Sequence, residues 1–177
     1  LENRAAKEFY GTIEFFPEEG KYHLDGHRTC TTRLTPQQTQ AHGGLCPCCG
    51  KKVTVGVMHR VSLLADRPEG VRPPDVPGFE SLIPLAEIIA EVHGMGVNSK
   101  RVTKDYQQLL ARFGSELFIL RTCPADELAV AGHELLAEAI RRMRQGKVKI
   151  NAGYDGEYGT VSIVTAGERR MKQPALF

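Results

Sequence analysis

At 177 residues the chain can form one ordinary domain, or a small metal-stapled module joined to a second unit with its own core. An apolar content of 41% and a charged content of 25% exclude a disordered tail, and a net charge of +2 is too mild to argue for nucleic acid unaided. No apolar run approaches the roughly 20 residues that cross a bilayer, and five cysteines with no visible signal peptide fit a reducing cytoplasm and a metal better than secreted disulfides.

Leu1 rather than methionine stands first, so a fragment of a longer protein is expected, with residues 1–10 as a linker or helix remnant from whatever precedes them. The string GTIEFFPEEGKYH alternates apolar and polar positions around Pro17 and Gly20, which predicts short strands. These lead into HRTC and, fifteen residues on, CPCCG. His27 and Cys30 with Cys46 and Cys49 then form two pairs at the x2 spacing of metal knuckles. Four soft or borderline donors from two tight turns are what a tetrahedral structural zinc requires. A disulfide or buried thiols acting as small hydrophobes would be the alternatives, but Cys46, Cys48 and Cys49 crowd too closely to bridge one another. His23 could replace His27, Cys48 should point away from the knuckle, and Cys123 reads as a buried apolar thiol. With four protein ligands no position stays open for water, so the expected zinc is structural, not catalytic.

After the second knuckle, Lys51 to Val57 alternates as a strand, and MHRVSLLAD has helical spacing. Four prolines and two glycines between Asp66 and Gly78 predict a surface crossing. The expected organisation is a metal module over 11–70, a linker over 71–78, a helical α/β domain over 79–167 and a flexible tail over 168–177. In the second domain, Leu85, Ile88, Ile89 and Val92 form one helical face, and Val102, Tyr106, Leu109, Leu110 and Phe113 form another, capped by Asn98 or Ser99. ELFIL is predicted as a strand. Pro124, Asp126 and Glu127 open a helix to about Arg144, bent at Gly132, and KVKI and GTVSIV form a hairpin around NAGYDGEY. The fold class is thus α+β: a small zinc-ribbon-like module, then a mainly helical domain with a C-terminal β-hairpin. No GxxxxGK[ST] loop is present, and HE at 133–134 lacks the second histidine of a zinc-protease helix. No catalytic constellation is expected.

GKYHLDGHRTC, HGGLCPCCGKKVTVGVMHRV with LADRPEG, SLIPLAEIIAEV, FGSE and GYDGEYG occur in this order, and together they resemble the endonuclease Q family from about Gly20 to about Val164. The resemblance implies the zinc module and helical region that in this family follow an N-terminal PHP (polymerase and histidinol phosphatase) metallo-hydrolase domain. It implies a DNA-repair nuclease that nicks 5′ of deaminated bases such as uracil and hypoxanthine, or of abasic sites. The family's catalytic ligands lie in the PHP domain, which these residues do not include, so the implied role here is DNA binding and damage recognition. The zinc ligands implied are His27, Cys30, Cys46 and Cys49.

Candidate phosphate contacts are Lys51, Lys52, His59 and Arg60 after the second knuckle, and Arg141 and Arg142 in the densest basic run. For that run the alternative is a helix C-terminus complemented by cations. In GYDGEYG, Tyr154 and Tyr158 could stack on bases while Asp155 could bond a base edge or fix the loop. Gln173, Leu176 and Phe177 resemble the Q-x-x-L-F box that docks on the bacterial sliding clamp, the second expected partner besides DNA. The competing readings are a protein-interaction adaptor and, less favoured by the closed metal site, a self-sufficient hydrolase.

Overall fold

The computed structural model describes residues 9–68, 70–72, 74 and 76–171. The described residues divide into two compact units, those up to 81 with 150–161, and 82–149 with those from 162 to 171. The expected boundary lay within 71–78. It falls instead after β4 (Gly78–Ser81), because that strand pairs in parallel with β1 (Gly11–Glu14), Gly11 opposite Gly78 and Glu14 opposite Ser81. The loop between the C-terminal strands also belongs to the first unit rather than to the helical domain.

In the first unit, β2 (Asp25–His27) and β3 (Thr32–Leu34) pair antiparallel, His27 opposite Thr32, around a 3-10 turn over Arg28–Cys30. Next comes α1 (Pro36–Ala41), unforeseen within the loop between the knuckles. Its local cause is a reciprocal cap: the Thr35 hydroxyl accepts from Gln38 N, the Gln38 side chain accepts from Thr35 N, and Pro36 occupies the first turn. The strand expected over 51–57 is reduced to two isolated bridges, Lys52 with Leu45 and Thr54 with Gly26. Gly56 then begins α2 (Val57–Leu64), none of whose residues is buried. Among the described residues, the apolar core of this unit consists of Leu34, Cys46 and Val53, with Cys30 packed against it. That is too little burial to hold some 90 residues together without another constraint.

The second unit is helical. In α3 (Leu85–His93), Leu85, Ile88, Ile89 and Ala90 are buried. In α4 (Lys100–Phe113), Val102 and Leu109 are buried, and the Ser99 side chain accepts from Val102 N as the expected cap. ELFIL is a helix, α5 (Glu116–Arg121), not a strand. Ser115 caps it by accepting from Phe118 N, and Ile119 and Leu120 turn inward while Leu117 and Phe118 face solvent. Such a short apolar run satisfies either period, and the cap decides it. The helix expected over 124–144 is two, α6 (Ala125–Val130) and α7 (Glu134–Arg144), broken at Gly132, whose φ of +91° no helix accommodates. The hairpin strands are β5 (Lys149–Asn151) and β6 (Thr160–Ser162), of which residues 150–161 with the intervening loop fall in the first unit. The tail opens as a helix, α8 (Ala166–Met171), where the sequence led to an expectation of flexibility from 168.

Candidate metal centre and nucleic-acid interface

The four ligands expected from spacing converge. One donor atom from each of His27, Cys30, Cys46 and Cys49 lies within 4.8 Å of every other. A tetrahedral zinc with Zn–S bonds of about 2.3 Å has S···S edges of about 3.8 Å, so a metal ion fits this quartet with small adjustment. His27 ends β2 and Cys30 closes the 3-10 turn. In the second knuckle Cys46 N donates to Lys51 O at 2.7 Å and Gly50 N to Cys46 O at 2.8 Å, which curls Cys49 back beside His27 Nδ1 at 3.5 Å. Neither His23 nor Cys48 joins the cluster. Three sulfurs so close cannot all hold charge by themselves. Hydrogen bonding to Cys49 pushes the Cys30 thiol up to about 12, and the Thr32 hydroxyl, 3.5 Å from Cys46 Sγ, draws Cys46 down to about 6. A divalent cation relieves that conflict, since coordination deprotonates thiols outright. Among the described residues no other group of three or more such ligands is gathered closely enough to hold a metal.

The first knuckle is fastened to a segment far along the chain. Asp155 Oδ2 accepts from Arg28 N at 2.6 Å, across 127 residues of sequence, and Oδ1 accepts from the Thr54 hydroxyl at 2.5 Å. Burial opposes the charge on Asp155, yet these two donors hold its carboxyl below the ordinary range. Of the two roles foreseen for this residue, fixing the loop is the one its geometry serves. The glycines of the loop allow backbone to lie on backbone. Gly153 N donates to Glu18 O at 2.8 Å, Gly156 N to Lys21 O at 2.9 Å and Gly159 N to Glu19 O at 3.0 Å. A Cβ on Gly153 or Gly159 would collide with Gly20 O or Glu18 O. Tyr154 bridges Leu24, and its ring stacks under the Arg33 guanidinium at 5.5 Å. Tyr158 is 73% exposed.

The remaining candidates separate by what they touch. Lys51, Lys52 and Arg60 are exposed on the first unit. His59 is half-buried, with Nδ1 2.7 Å from Oδ2 of the fully buried Asp25, whose Oδ1 accepts from Gly56 N at 2.6 Å. Its imidazole thereby ties α2 to β2. In the second unit the basic run is engaged. Arg141 contacts Glu138 and Asp126, while Arg142 contacts Glu138, Glu168 and the Ile163 carbonyl. Arg144 donates to the carbonyls of Ile119, Leu120 and Cys123, each at 2.8 Å, closing the C-terminal end of α5. A phosphate at Arg141 or Arg142 would have to displace carboxylates. Gln173, Leu176 and Phe177 lie outside the described residues. Asp25, Thr54, Lys21, Tyr22 and Arg28 were not singled out from the sequence. Four of them stand in or beside GKYHLDGHRTC, the string that carried the resemblance.

Residues 84–147 match the family described as the MJ0043 C-terminal domain. The chain is 36% identical to the uncharacterized protein MJ0043 of Methanocaldococcus jannaschii over 146 residues, 82% of this chain and 18% of that one. It is 31% identical to the uncharacterized protein YqxK of Bacillus subtilis over 82% of this chain and 33% of that one. Among solved structures, the lesion-specific endonuclease PfuEndoQ of Pyrococcus furiosus superposes with a TM-score of 0.74 at 35% identity, over 91% of this chain and 41% of that one. Endonuclease Q bound to a 27-mer duplex substrate with an abasic lesion at the active site superposes with a TM-score of 0.69 at 38% identity, over 86% and 38%. The chain therefore spans less than half of each of these proteins. In sequence and in fold it is similar to a portion of endonuclease Q.

Proposed function

We propose that this chain is the DNA-holding and damage-recognition portion of a repair endonuclease that nicks 5′ of deaminated bases, such as uracil and hypoxanthine, or of abasic sites. The observation that carries this reading is the likeness, at 35–38% identity over nearly the whole chain, to a lesion-specific endonuclease that has been crystallised on a lesion-containing duplex. The His27–Cys30–Cys46–Cys49 site holds zinc in a structural role, because four protein ligands leave no position for water. Cleavage resides in a PHP domain within the part of the longer relatives that this chain does not cover. DNA contact runs through the exposed basic side chains of the first unit, Lys51, Lys52 and Arg60 among them.

The test is a salt titration of binding to duplex oligonucleotides carrying uracil, hypoxanthine or an abasic site, with a nicking assay in parallel. Affinity should fall steeply with salt as phosphate contacts release counterions, and no nick should appear. Metal-dependent nicking abolished by a mutation within these residues would place an active site here. No binding even at low salt would favour the protein-interaction adaptor. The sliding clamp is proposed as a second partner through Gln173, Leu176 and Phe177. Calorimetry against the clamp, with and without Leu176→Ala and Phe177→Ala together, decides that point, since equal heats from both forms would remove it.

A further inference from the structure

On the first unit a cation and two aromatic rings are gathered at the surface. The Lys21 ammonium lies 5.6 Å from the Tyr22 ring centroid and 5.7 Å from that of Tyr158, both within cation–π range. The rings come from segments more than a hundred residues apart, yet Tyr22 remains 45% and Tyr158 73% exposed. The Arg28 guanidinium is exposed beside them, 3.9 Å from Glu157, whose carboxylate tempers the local charge. The placement is rigid. Gly153, Gly156 and Gly159 donate to the carbonyls of Glu18, Lys21 and Glu19, Leu24 N returns a bond to Gly153 O at 2.9 Å, and Asp155 pins the loop to Arg28 and Thr54. Two large rings held open to water on a fixed backbone forgo the burial they would have gained by folding inward, and they present π faces already ordered for a planar ligand.

We propose that Tyr22 and Tyr158, with Lys21, form a platform for unpaired nucleotides, the rings stacking on exposed bases and the ammonium meeting the adjoining phosphate. This rests on the reading of the chain as DNA-binding and adds which form of DNA the first unit selects. In an intact duplex each base face is covered by its neighbours, so tyrosine rings gain nothing from it. A single strand or an unstacked nucleotide offers open faces of any sequence. Phosphate contacts alone would favour the duplex, which has the higher charge density.

The experiment measures fluorescence anisotropy of the full chain with a labelled 20-mer single strand and with its blunt duplex, together with intrinsic tyrosine emission, which is unmasked because the chain has no tryptophan. The wild type should bind the single strand about tenfold more tightly and lose tyrosine emission on binding. Tyr158→Ala should abolish that preference, while Tyr158→Phe, which keeps the ring, should retain it. Tyr158 is mostly exposed, so its removal should leave the thermal midpoint in place. Equal affinity of the wild type for both DNAs, or a preference that survives Tyr158→Ala and Tyr22→Ala together, overturns the platform while leaving DNA binding intact. Binding to neither DNA overturns both readings.

Discussion

Asp155 joins parts of the chain that no local rule connects. Its carboxylate accepts a backbone N–H from inside the first knuckle and a hydroxyl from the segment after the second. It thereby sets the loop over 153–159 against the metal site. Replacing it with alanine removes two charge-assisted bonds and leaves the Arg28 amide without its acceptor. The expected cost is about 1.5–3 kcal/mol of stability, with faster release of metal to a chelator. Asp155→Asn, which keeps one acceptor oxygen and puts an NH2 donor in place of the other, should fall between. Thermal denaturation and a colorimetric zinc-release assay on the three proteins check the order. An alanine variant as stable and as retentive as the wild type would show that the loop is held without this residue.

Hydroxyl caps start three of the four six-residue helices, α6 after Pro124 being the exception. α1, α5 and α8 have six residues each, too few to persist on propensity, and each begins at a hydroxyl side chain. At α8 the exchange is reciprocal: Thr165 Oγ1 accepts from Glu168 N, and Glu168 Oε2 accepts from Thr165 N at 2.7 Å. Glu168 Oε1 also meets Arg142 at 2.6 Å, which fastens α8 to α7. Thr165→Ala should cost about 1 kcal/mol and raise amide exchange over 166–171. The Arg142 guanidinium and the Thr165 donors draw the Glu168 pKa from 4.5 to about 2. The folded state then binds fewer protons than the unfolded one, so this stabilisation is complete above about pH 4.5 and fades as pH falls toward 2. Melting midpoints between pH 2 and 6 should drop less steeply on acidification for Glu168→Gln than for the wild type. Parallel curves for the two proteins would assign the acid sensitivity elsewhere.

At the scale of the molecule, the two units rest on different physics. The second has an ordinary apolar core, with Leu85, Ile88, Leu109, Ile119, Leu128 and Ile140 almost wholly buried. The first has Leu34, Cys46 and Val53 and the metal quartet. Structural zinc in small modules contributes on the order of 10 kcal/mol, comparable to the whole stability of a domain. Chelation should therefore abolish amide protection over 11–81 and 150–161 while leaving 85–143 protected, and Cys46→Ser should reproduce that pattern without a chelator. Hydrogen exchange read by mass spectrometry checks it. Protection lost together in both units would mean that they fold as one, and protection kept in both would remove the metal from the folding of the first.

Features whose causes lie within a few residues of one another are legible in the amino acids alone. The x2 pairs mark four ligands on spacing alone, the 3.6-residue period marks the buried faces of α3 and α4, and the alternation of KVKI and GTVSIV marks the hairpin. The Thr35–Gln38 and Thr165–Glu168 capping pairs are local signals too, but they stand where no apolar period marks a helix. ELFIL carried no decisive period at all, and its Ser115 cap settled the matter. The rest required the tertiary structure, because the partners are distant in sequence and a charge does not announce its partner. Asp25 took His59 away from solvent, Glu138 and Glu168 took Arg142, and three carbonyls took Arg144. Only the folded chain lays GYDGEYG, the loop of the β5–β6 hairpin, onto the metal module, where Asp155 locks the knuckle and Tyr158 stands beside Lys21 and Tyr22.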